Sequence, residues 1–334
     1  MTAPDPERNW FAEVERIFAR HGLGRVRSVE PLPGGQLNRA LRVNGEHVVR
    51  FREPALSTGS LRREASVLRR LAGRVRAPAV VTTGQDDLLG EYTIQGWLPG
   101  RDLLSAWLEN PDVATREWWV LQWQQAIQAI HEERFPQPGE LENGELKASP
   151  SWRAYVEGRL RRRLDLLMRC PAMDRELVLA AERYLRRRAP VLEDGPFCLI
   201  HRDLHFANVL VDGPHLSGIL DFELAEVGPP DYELDTIFRF LSQPWLFLSG
   251  PGAARSAAGR VTPTRFASVW IRLKRGYPEM FAVPNLRDRL GLYALDHGLS
   301  CLLQAYTGRW GGQSGVEVTL QRIGAILQGS YGPE

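Results

Sequence analysis

The spacing of apolar residues changes along this chain and divides it into two parts. Residues 8–20 carry apolar side chains at helical spacing and predict a helix that ends at Gly22. From 25 to 53 the apolar runs become short and valine-rich, with Asn44-Gly45 between two of them. This dipeptide is a strong hairpin signal, so we expect three antiparallel strands there. A helix over 61–73 and two more strands before Leu98-Pro99-Gly100 complete the first part.

After Gly100 the pattern is mostly helical. The predicted helices are 101–109, 114–132, 150–169, 172–188, 231–243, 264–276, 286–307 and 316–328, and only 197–222 alternates like strands. Strands followed by helices favour an α+β fold with two lobes over alternating β-α units. We expect a smaller antiparallel-sheet lobe over 1–97, with one important helix, and a larger helical lobe over 98–334.

Composition narrows the class of protein. The chain has 334 residues, of which 43% are hydrophobic and 25% charged, as is typical of a globular protein. It lacks an apolar run of about 18 residues and a recognisable secretory signal, which favours a cytoplasmic protein with no membrane partner. Three widely spaced cysteines argue against a disulfide framework. The net charge of +2 is too small for a dedicated nucleic-acid-binding surface, so the arginine-rich runs at 159–169 and 183–190 predict solvated helix faces.

Candidate chemistry is concentrated in HRDLHFANVLVDG (201–213) and in DFE (221–223). Phosphoryl transfer needs a carboxylate that orients the attacking hydroxyl and oxygen ligands for divalent cations. Asp203, Asn208 and Asp221 offer these groups, and His201 would brace the loop. Taken singly, each is more simply a turn residue or a buried histidine. Together, their spacing indicates a phosphate and metal site.

These residues, with GPPDYELD at 228–235, resemble the aminoglycoside phosphotransferase-like family of small-molecule kinases, which includes choline, fructosamine and homoserine kinases. The resemblance implies a protein-kinase-like fold, with Asp203 as catalytic base and Asn208 and Asp221 as magnesium ligands. It also implies that Glu233, where the family has Asp, braces the loop without direct chemistry. The nucleoside triphosphate would be ATP, with GTP as the alternative, and the acceptor a hydroxylated small molecule.

The first part of the chain offers groups for the triphosphate. Gly34 and Gly35 would allow the backbone to approach phosphate, with Asn38 in the same loop. The strand cation is Arg50, because neither of the two lysines lies in this part of the chain. An arginine binds phosphate well through its planar fork. Glu64 on the predicted helix is its expected partner, although both residues could be ordinary surface groups.

The segment EYTIQGWLPG (91–100) stands where the family has its adenine-binding hinge. The resemblance implies that Gln95, Trp97 and Leu98 contact the nucleotide, with backbone groups of 96–98 bonded to the purine edge. Trp97 could instead only pack.

The acceptor side is less clear from the sequence. A cationic acceptor needs carboxylates, and the candidates in the second lobe are Glu223, Glu226, Asp231 and Asp296. Each could equally pair with an arginine. The sequence does not separate an antibiotic from a sugar or an amino alcohol, and it does not predict the oligomeric state.

Two other functions fit parts of the same pattern. A protein kinase would also carry HRD, Asn and Asp, but here DFE replaces DFG and no Ala-Pro-Glu segment follows. A nucleotide-binding regulatory module without catalysis would usually have lost Asp203. A small-molecule kinase is therefore the favoured hypothesis.

Overall fold

The computed structural model describes residues 10–32, 38–52, 60–87, 90–248, 261–307 and 313–332. The first lobe contains a five-stranded antiparallel sheet in the order β1-β2-β3-β5-β4. Its strands are β1 Val29–Pro31, β2 Asn38–Val43, β3 His47–Arg52, β4 Val80–Asp86 and β5 Gly90–Gly96, and its helices are α1 Trp10–His21 and α2 Leu61–Leu71. The predicted strands and both helices are thus present.

The β2–β3 hairpin forms where its sequence signal predicted it. Asn44 and Gly45 have φ values of 55° and 76°, the left-handed pair that a tight hairpin turn requires. Alternate residues of these strands then face α1 and build a small core with it. Its buried members are Val14, Ile17, Phe18, Val26, Leu41, Val43, Val49, Phe51, Tyr92 and Ile94.

Helix α2 belongs structurally to both lobes. Oγ of its N-cap, Ser60, accepts hydrogen bonds from the backbone amides of Arg62 and Arg63 at 3.2 and 3.4 Å. These bonds satisfy two donors that would otherwise be unpaired at the start of the helix. Val67 and Leu68 pack into the large core of the second lobe rather than into the small one. The helix therefore carries Glu64 to the boundary between the lobes.

The second lobe is mainly helical. Its helices are α3 Leu103–Glu109, α4 Val113–His131, α5 Trp152–Met168, α6 Arg175–Arg188, α7 Glu233–Ser242, α8 Ala267–Gly276, α9 Leu286–Tyr306 and α10 Gln313–Leu327. All eight lie within one to three residues of the predicted ranges. Its strands are β6 Arg101–Asp102, β7 Arg134–Phe135, β8 Gly139–Glu142, β9 Glu145–Ala148, β10 Phe197–Ile200, β11 Val209–Asp212, β12 His215–Ile219 and β13 Glu226–Gly228.

Two small sheets position the motif residues of this lobe. One has the order β12-β11-β6 and the other β7-β10-β13-β8-β9. Strands β10 and β11 therefore anchor the two ends of the segment 201–208 in different sheets. Gly100 lies where the chain enters this lobe, with φ of 109°, and a Cβ there would meet the Val211 carbonyl oxygen at 2.3 Å. Only glycine fits this close approach.

Strands β7 to β9 were not predicted from the sequence. The turn between β8 and β9 is again Asn-Gly, with Asn143 at φ 51° and Gly144 at φ 90°. Across the part of the chain that the structure covers, we find no helix long and apolar enough to cross a membrane.

Candidate active site

The loop between β10 and β11 is held at its entrance by one carboxylate. Glu233, the first residue of α7, accepts hydrogen bonds from the backbone amides of His201 and Arg202 at 2.7 and 3.0 Å. Its side chain is fully buried. Hydrogen bonds to an ionised acceptor are stronger than neutral ones, so Glu233 fixes the backbone just before Asp203.

His201 is completely buried and connects this loop to the second motif. Its Nδ1 accepts the amide of Asp203 at 3.2 Å, and its Nε2 lies 2.9 Å from the carbonyl oxygen of Leu220. A carbonyl oxygen can only accept, so Nε2 carries the proton and the ring is the neutral Nε2–H tautomer. His201 thus positions the loop and does not face the cleft.

Asp203 projects from the loop with 30% of its side chain exposed. Asn208 donates from Nδ2 to Oδ2 of Asp203 at 3.0 Å and to its backbone oxygen at 2.9 Å. Burial opposes ionisation of Asp203, but His205, whose Nε2 lies 3.5 Å from Oδ1, and Arg239 outweigh it and hold the pKa of this carboxyl well below its usual range. The carboxylate is therefore ionised at neutral pH.

Two residues of the site hold a left-handed backbone conformation without being glycine. Arg202 has φ of 71° and Asp221 has φ of 68°. Such conformations cost on the order of 1–3 kcal/mol and persist only where surrounding contacts enforce them. The guanidinium of Arg202 lies 4.2 Å from the ring centroid of Tyr232 and pairs with Glu226. These contacts hold the backbone next to Asp203 in its strained form.

Asp221 connects the second lobe to the first. Arg50 on β3 donates from Nη2 to Oδ1 of Asp221 at 3.1 Å and from Nη1 to Glu64 on α2. The Glu64 side chain is 1% exposed and that of Asp221 is 34% exposed. Burial opposes the charge of Arg50, but the carboxylates around it outweigh burial and raise its pKa. Arg50 is therefore anchored by a buried acid and reaches an accessible one.

The two motifs are also joined through the backbone. The amide of Leu220 donates to the carbonyl oxygen of Asn208 at 2.8 Å, which places Asp221 next to the Asp203–Asn208 pair. Asp203 and Asn208 are thus linked through the backbone of Leu220 to Asp221, and from there to Arg50 and Glu64. The sequence predicted all five residues, and the structure brings them together.

The oxygen atoms at this point fit a magnesium ion. Because Nδ2 of Asn208 donates twice to Asp203, its Oδ1 points the other way and has no donor among the residues that the structure describes. Asp221 adds a partly exposed carboxylate. Within the described residues no group of three or more His, Cys, Asp or Glu side chains could hold a metal. Magnesium commonly uses one or two protein oxygens together with substrate phosphates, so these two residues suffice.

The segment 95–98 offers fewer hydrogen-bond donors than we expected. The amide of Gly96 donates to the Ala79 carbonyl and that of Trp97 to the Glu46 carbonyl, both at 2.8 Å. The Leu98 amide has no partner in the part of the chain that the structure describes. Of the backbone amides of residues 96–98, which we expected to bond the purine edge, only that of Leu98 is therefore left as a donor.

The side chains of this segment are occupied as well. Gln95 is buried and donates from Nε2 to Oγ1 of Thr93 at 3.4 Å, and the guanidinium of Arg42 lies 4.3 Å from the Trp97 ring. Gly34 and Gly35 lie outside the described residues. Asn38 begins β2, and only its backbone is described, where it pairs with Arg52.

The predicted acceptor carboxylates do not line an open cleft. Glu223, Glu226, Asp231 and Asp296 are all buried, with exposures of 0 to 6%. Each is bound to arginine: Glu223 to Arg52 at 2.5 Å, Glu226 to Arg159 at 2.7 Å, Asp231 to Arg289 at 2.7 Å and Asp296 to Arg159 at 2.5 Å. The reason is that a buried carboxylate needs a cationic partner, and this chain supplies many arginines. These four acids are thus engaged with arginines, and an acceptor contact by any of them remains a prediction.

His205, which lies beside Asp203, was not predicted as a site residue. Its ring packs on Phe247 with centroids 4.4 Å apart, and its Nδ1 is buried without a hydrogen-bond partner among the described residues. The signal was available, because His205 stands inside the motif HRDLH.

A family model described as the phosphotransferase enzyme family, APH, matches residues 28–260. A search of curated protein sequences found no match.

Solved structures with the same fold include two kinds of aminoglycoside phosphotransferase. The crystal structure of APH(4)-Ia superposes with a TM-score of 0.72 and 21% sequence identity, covering 96% of this chain and 99% of that one. The GDP complex of aminoglycoside 2'-phosphotransferase-IIIa superposes with a TM-score of 0.64 and 19% identity, covering 97% and 100%. These neighbours confirm the predicted α+β, two-lobed, protein-kinase-like fold.

Proposed function

Because this chain belongs to the APH phosphotransferase enzyme family, we propose that it transfers the γ-phosphoryl group of ATP to a hydroxyl of a small molecule. The observation that supports this most directly is the continuous set of contacts from Asp203 through Asn208 and Asp221 to Arg50 and Glu64. It unites a partly exposed carboxylate, oxygen ligands and an anchored cation, the parts that phosphoryl transfer requires.

Arg50 is the residue we assign to the phosphates of the nucleotide. Its guanidinium is 14% exposed and is held by buried Glu64, so it is preorganised at little entropic cost. The Leu98 amide is the donor that we assign to the purine edge. Gly34 and Gly35 remain candidates for the loop over the phosphates.

Asp203 is the residue we assign to the acceptor hydroxyl. Its ionised carboxylate accepts a hydrogen bond from that hydroxyl and aims the oxygen at the γ-phosphorus. As the new O–P bond forms and the bond to the ADP oxygen breaks, the hydroxyl proton becomes acidic and passes to Asp203. In a loose transition state this transfer comes late, so a carboxylate with a low pKa is sufficient.

Asn208 and Asp221 would hold magnesium. When bound there, the ion would neutralise charge on the phosphates. Asn208 has a second function, because its Nδ2 holds the Asp203 carboxylate.

The ligands of the structural neighbours agree with this proposal. One neighbour is a ternary complex of APH(4)-Ia with AMP-PNP and hygromycin B, and another is a complex of APH(2")-IIIa with GDP and kanamycin. By analogy, ATP is our proposed donor, with GTP as the alternative, and a hydroxylated small molecule is the acceptor.

The test is ADP release with magnesium and ATP over a panel of hydroxylated compounds, comparing the wild-type protein with Asp203→Ala. We expect acceptor-dependent ADP release from the wild type alone. Both proteins should gain thermal stability from ATP with magnesium, because ligand binding to the folded state raises the melting temperature. Equal turnover by the two proteins would reject Asp203 as the base, and a wild type that neither binds nor turns over nucleotide would reject the proposal as a whole.

A further inference from the structure

Strand β3 presents two arginines to the second lobe. Val49 and Phe51 of this strand are buried in the small core with α1. Because side chains alternate between the two faces of a strand, Arg50 and Arg52 share the opposite face. Both arginines pair from this face with acids of the segment 221–223.

The two ion pairs have the same arrangement and different exposure. Arg50 donates from Nη2 to Oδ1 of Asp221 at 3.1 Å, and Arg52 donates from Nη2 to Oε2 of Glu223 at 2.5 Å. The side chains of the first pair are 14% and 34% exposed, and those of the second pair are 6% and 8% exposed. A ligand can therefore reach Asp221 far more easily than it can reach Glu223.

The backbone at Asp221 needs support from its surroundings. Its φ of 68° is a left-handed conformation that a residue other than glycine keeps only where contacts enforce it. The next residue, Phe222, is fully buried, with its ring centroid 4.4 Å from that of His201. The residue after it is Glu223, which Arg52 holds from the first lobe. The direction of the Asp221 side chain thus depends on contacts made by the two residues that follow it.

The proposed reaction places different demands on the two pairs. We assign Asp221 to magnesium and Arg50 to the phosphates, so the bond between these two residues competes with both functions. The Arg52–Glu223 pair has no such competing function. Opening a buried ion pair leaves an uncompensated charge, which is costly. This pair can therefore stay closed while Arg50 changes its partner.

We infer that Arg52 is a positioning residue. Through Glu223 it holds the turn that directs the Asp221 carboxylate, and it continues to do so when Arg50 exchanges Asp221 for the phosphates of the nucleotide. The inference rests on the proposed function, because it concerns the same nucleotide and magnesium site. It assigns Glu223 to this pair instead of to the acceptor, in agreement with its 6% exposure.

Another ion pair between the lobes offers a matched control. Arg70 on α2 donates from Nη1 to Oε1 of Glu133 in the second lobe at 2.8 Å. This pair also joins an arginine of the first lobe to a glutamate of the second. Glu133 belongs to the segment before β7 and not to the turn that carries Asp221. Loss of the Arg70–Glu133 bond therefore reports the effect of weakening the contact between the lobes in general.

The first measurement is the affinity for ATP, by isothermal titration calorimetry, with and without magnesium. Residues that hold a metal ligand in place typically contribute about 10- to 100-fold to metal affinity or activity. We therefore expect the gain in ATP affinity caused by magnesium to fall by about 10-fold in Arg52→Gln and in Glu223→Gln. Affinity for ATP without magnesium should stay near the wild-type value. Arg70→Gln should keep the whole gain.

Steady-state kinetics with an accepted hydroxyl compound gives the second readout. In Arg52→Gln and Glu223→Gln, kcat should fall by about 10-fold and the half-saturating magnesium concentration should rise, with KM for the acceptor unchanged. The double variant should lose about as much as either single variant, because the two residues act as one pair. Arg52→Lys, which keeps the charge, should recover part of the loss.

Melting temperatures separate positioning from stability. All assays are run well below the lowest melting temperature of the set, so that every variant is folded. A pair that only stabilised the fold would lower the melting temperature and leave the magnesium dependence unchanged. If Arg52→Gln does not fold, Glu223→Gln and Arg52→Lys, which change the pair less, provide the same comparison.

Three results would overturn the inference and leave the phosphotransferase proposal intact. The first is an unchanged gain from magnesium in the variants of Arg52 and Glu223. The second is a higher KM for the acceptor in Glu223→Gln with normal magnesium dependence, which would place Glu223 at the acceptor. The third is an equal loss in Arg70→Gln, which would show that any bond between the lobes has this effect. A wild-type protein that binds no ATP would overturn the proposed function as well.

Discussion

Two groups of buried charge flank the loop that carries Asp203, and they differ in how the charges are balanced. In the first, which we call the closed network, every arginine has a carboxylate within 4.0 Å; its members are Arg159, Arg163, Arg202, Glu226 and Asp296. In the second, Arg239 pairs with Asp235, whereas Arg322 lies 3.1 Å from His297 and has no carboxylate within 4.0 Å in the described part of the chain. Removing one partner of a buried ion pair leaves an uncompensated charge, so the closed network is suited to holding the fold.

The largest effect on stability should come from removing one acid of the closed network. Asp296→Asn leaves Arg159 and Arg163 without one of their acids, and we expect the free energy of unfolding to fall by about 3–5 kcal/mol. Urea denaturation at neutral pH measures this. Glu182→Gln is the control, because its exposed pair with Arg186 on α6 should contribute less than about 1 kcal/mol. Equal losses in the two variants would show that the network is not structural.

Arg50 is intermediate between the two groups, since it has one buried acid and one accessible acid. Arg50→Ala should lower kcat/KM for ATP by about 100-fold, because the phosphates lose a positioned cation. Arg50→Lys should lower kcat/KM for ATP by a smaller factor. Lysine keeps the positive charge but lacks the guanidinium that bonds both Glu64 and Asp221. Initial rates at varied ATP concentration measure both effects. If Arg50→Ala matched the wild type, our assignment of Arg50 to the nucleotide would be wrong.

The closed network should also make the stability of the protein depend on pH in the acidic range. Burial opposes ionisation of Asp296, but Arg159 and Arg163 outweigh it and lower its pKa from 3.8 to about 2. A carboxyl whose folded pKa is lowered stabilises the protein above its unfolded pKa, and this stabilisation is lost as pH falls through the folded value. We therefore expect about 2 kcal/mol to disappear between pH 3.8 and about 2. Unfolding curves of the wild type over this range measure the loss, and Asp296→Asn should not show it.

The smallest effect concerns His205, which lies between Asp203 and the aromatic residues Phe240 and Phe247. His205→Gln removes one of the groups that lower the pKa of Asp203, so this pKa should rise. We expect kcat to fall by about 3- to 10-fold and the acidic limb of the pH–rate profile to move to higher pH. His215→Gln, at an exposed histidine on β12, is the control. An acidic limb that stayed in place would exclude this function of His205.

The residues that the structure brings together around Asp203 could be predicted because they have local and fixed spacing. Asp203 and Asn208 lie on one loop, Asp221 follows a hairpin, and Arg50 and Glu64 occupy regular positions on a strand and a helix. The fold then brings these three segments together. The Asn-Gly signal worked for β2–β3 but was overlooked for β8–β9, where Asn143 and Gly144 adopt the same left-handed conformations.

The acceptor side could not be predicted in the same way. Whether a carboxylate such as Asp231 faces a ligand or an arginine depends on contacts between residues far apart in the chain, here with Arg289, 58 positions away. In a chain with 42 basic residues and 40 acidic ones, many such pairings are possible. The structure selects among them by burial.

The central claim is tested most directly by following the phosphorus atom itself. ³¹P NMR of the protein with magnesium, ATP and the acceptor panel should show a new phosphate-ester signal as the γ-phosphate signal declines. Asp203→Asn should bind ATP with magnesium, as judged by its melting temperature, and form the ester at least about 100-fold more slowly. Ester formation at the same rate in both proteins, or none in the wild type with any acceptor of the panel, would contradict our account.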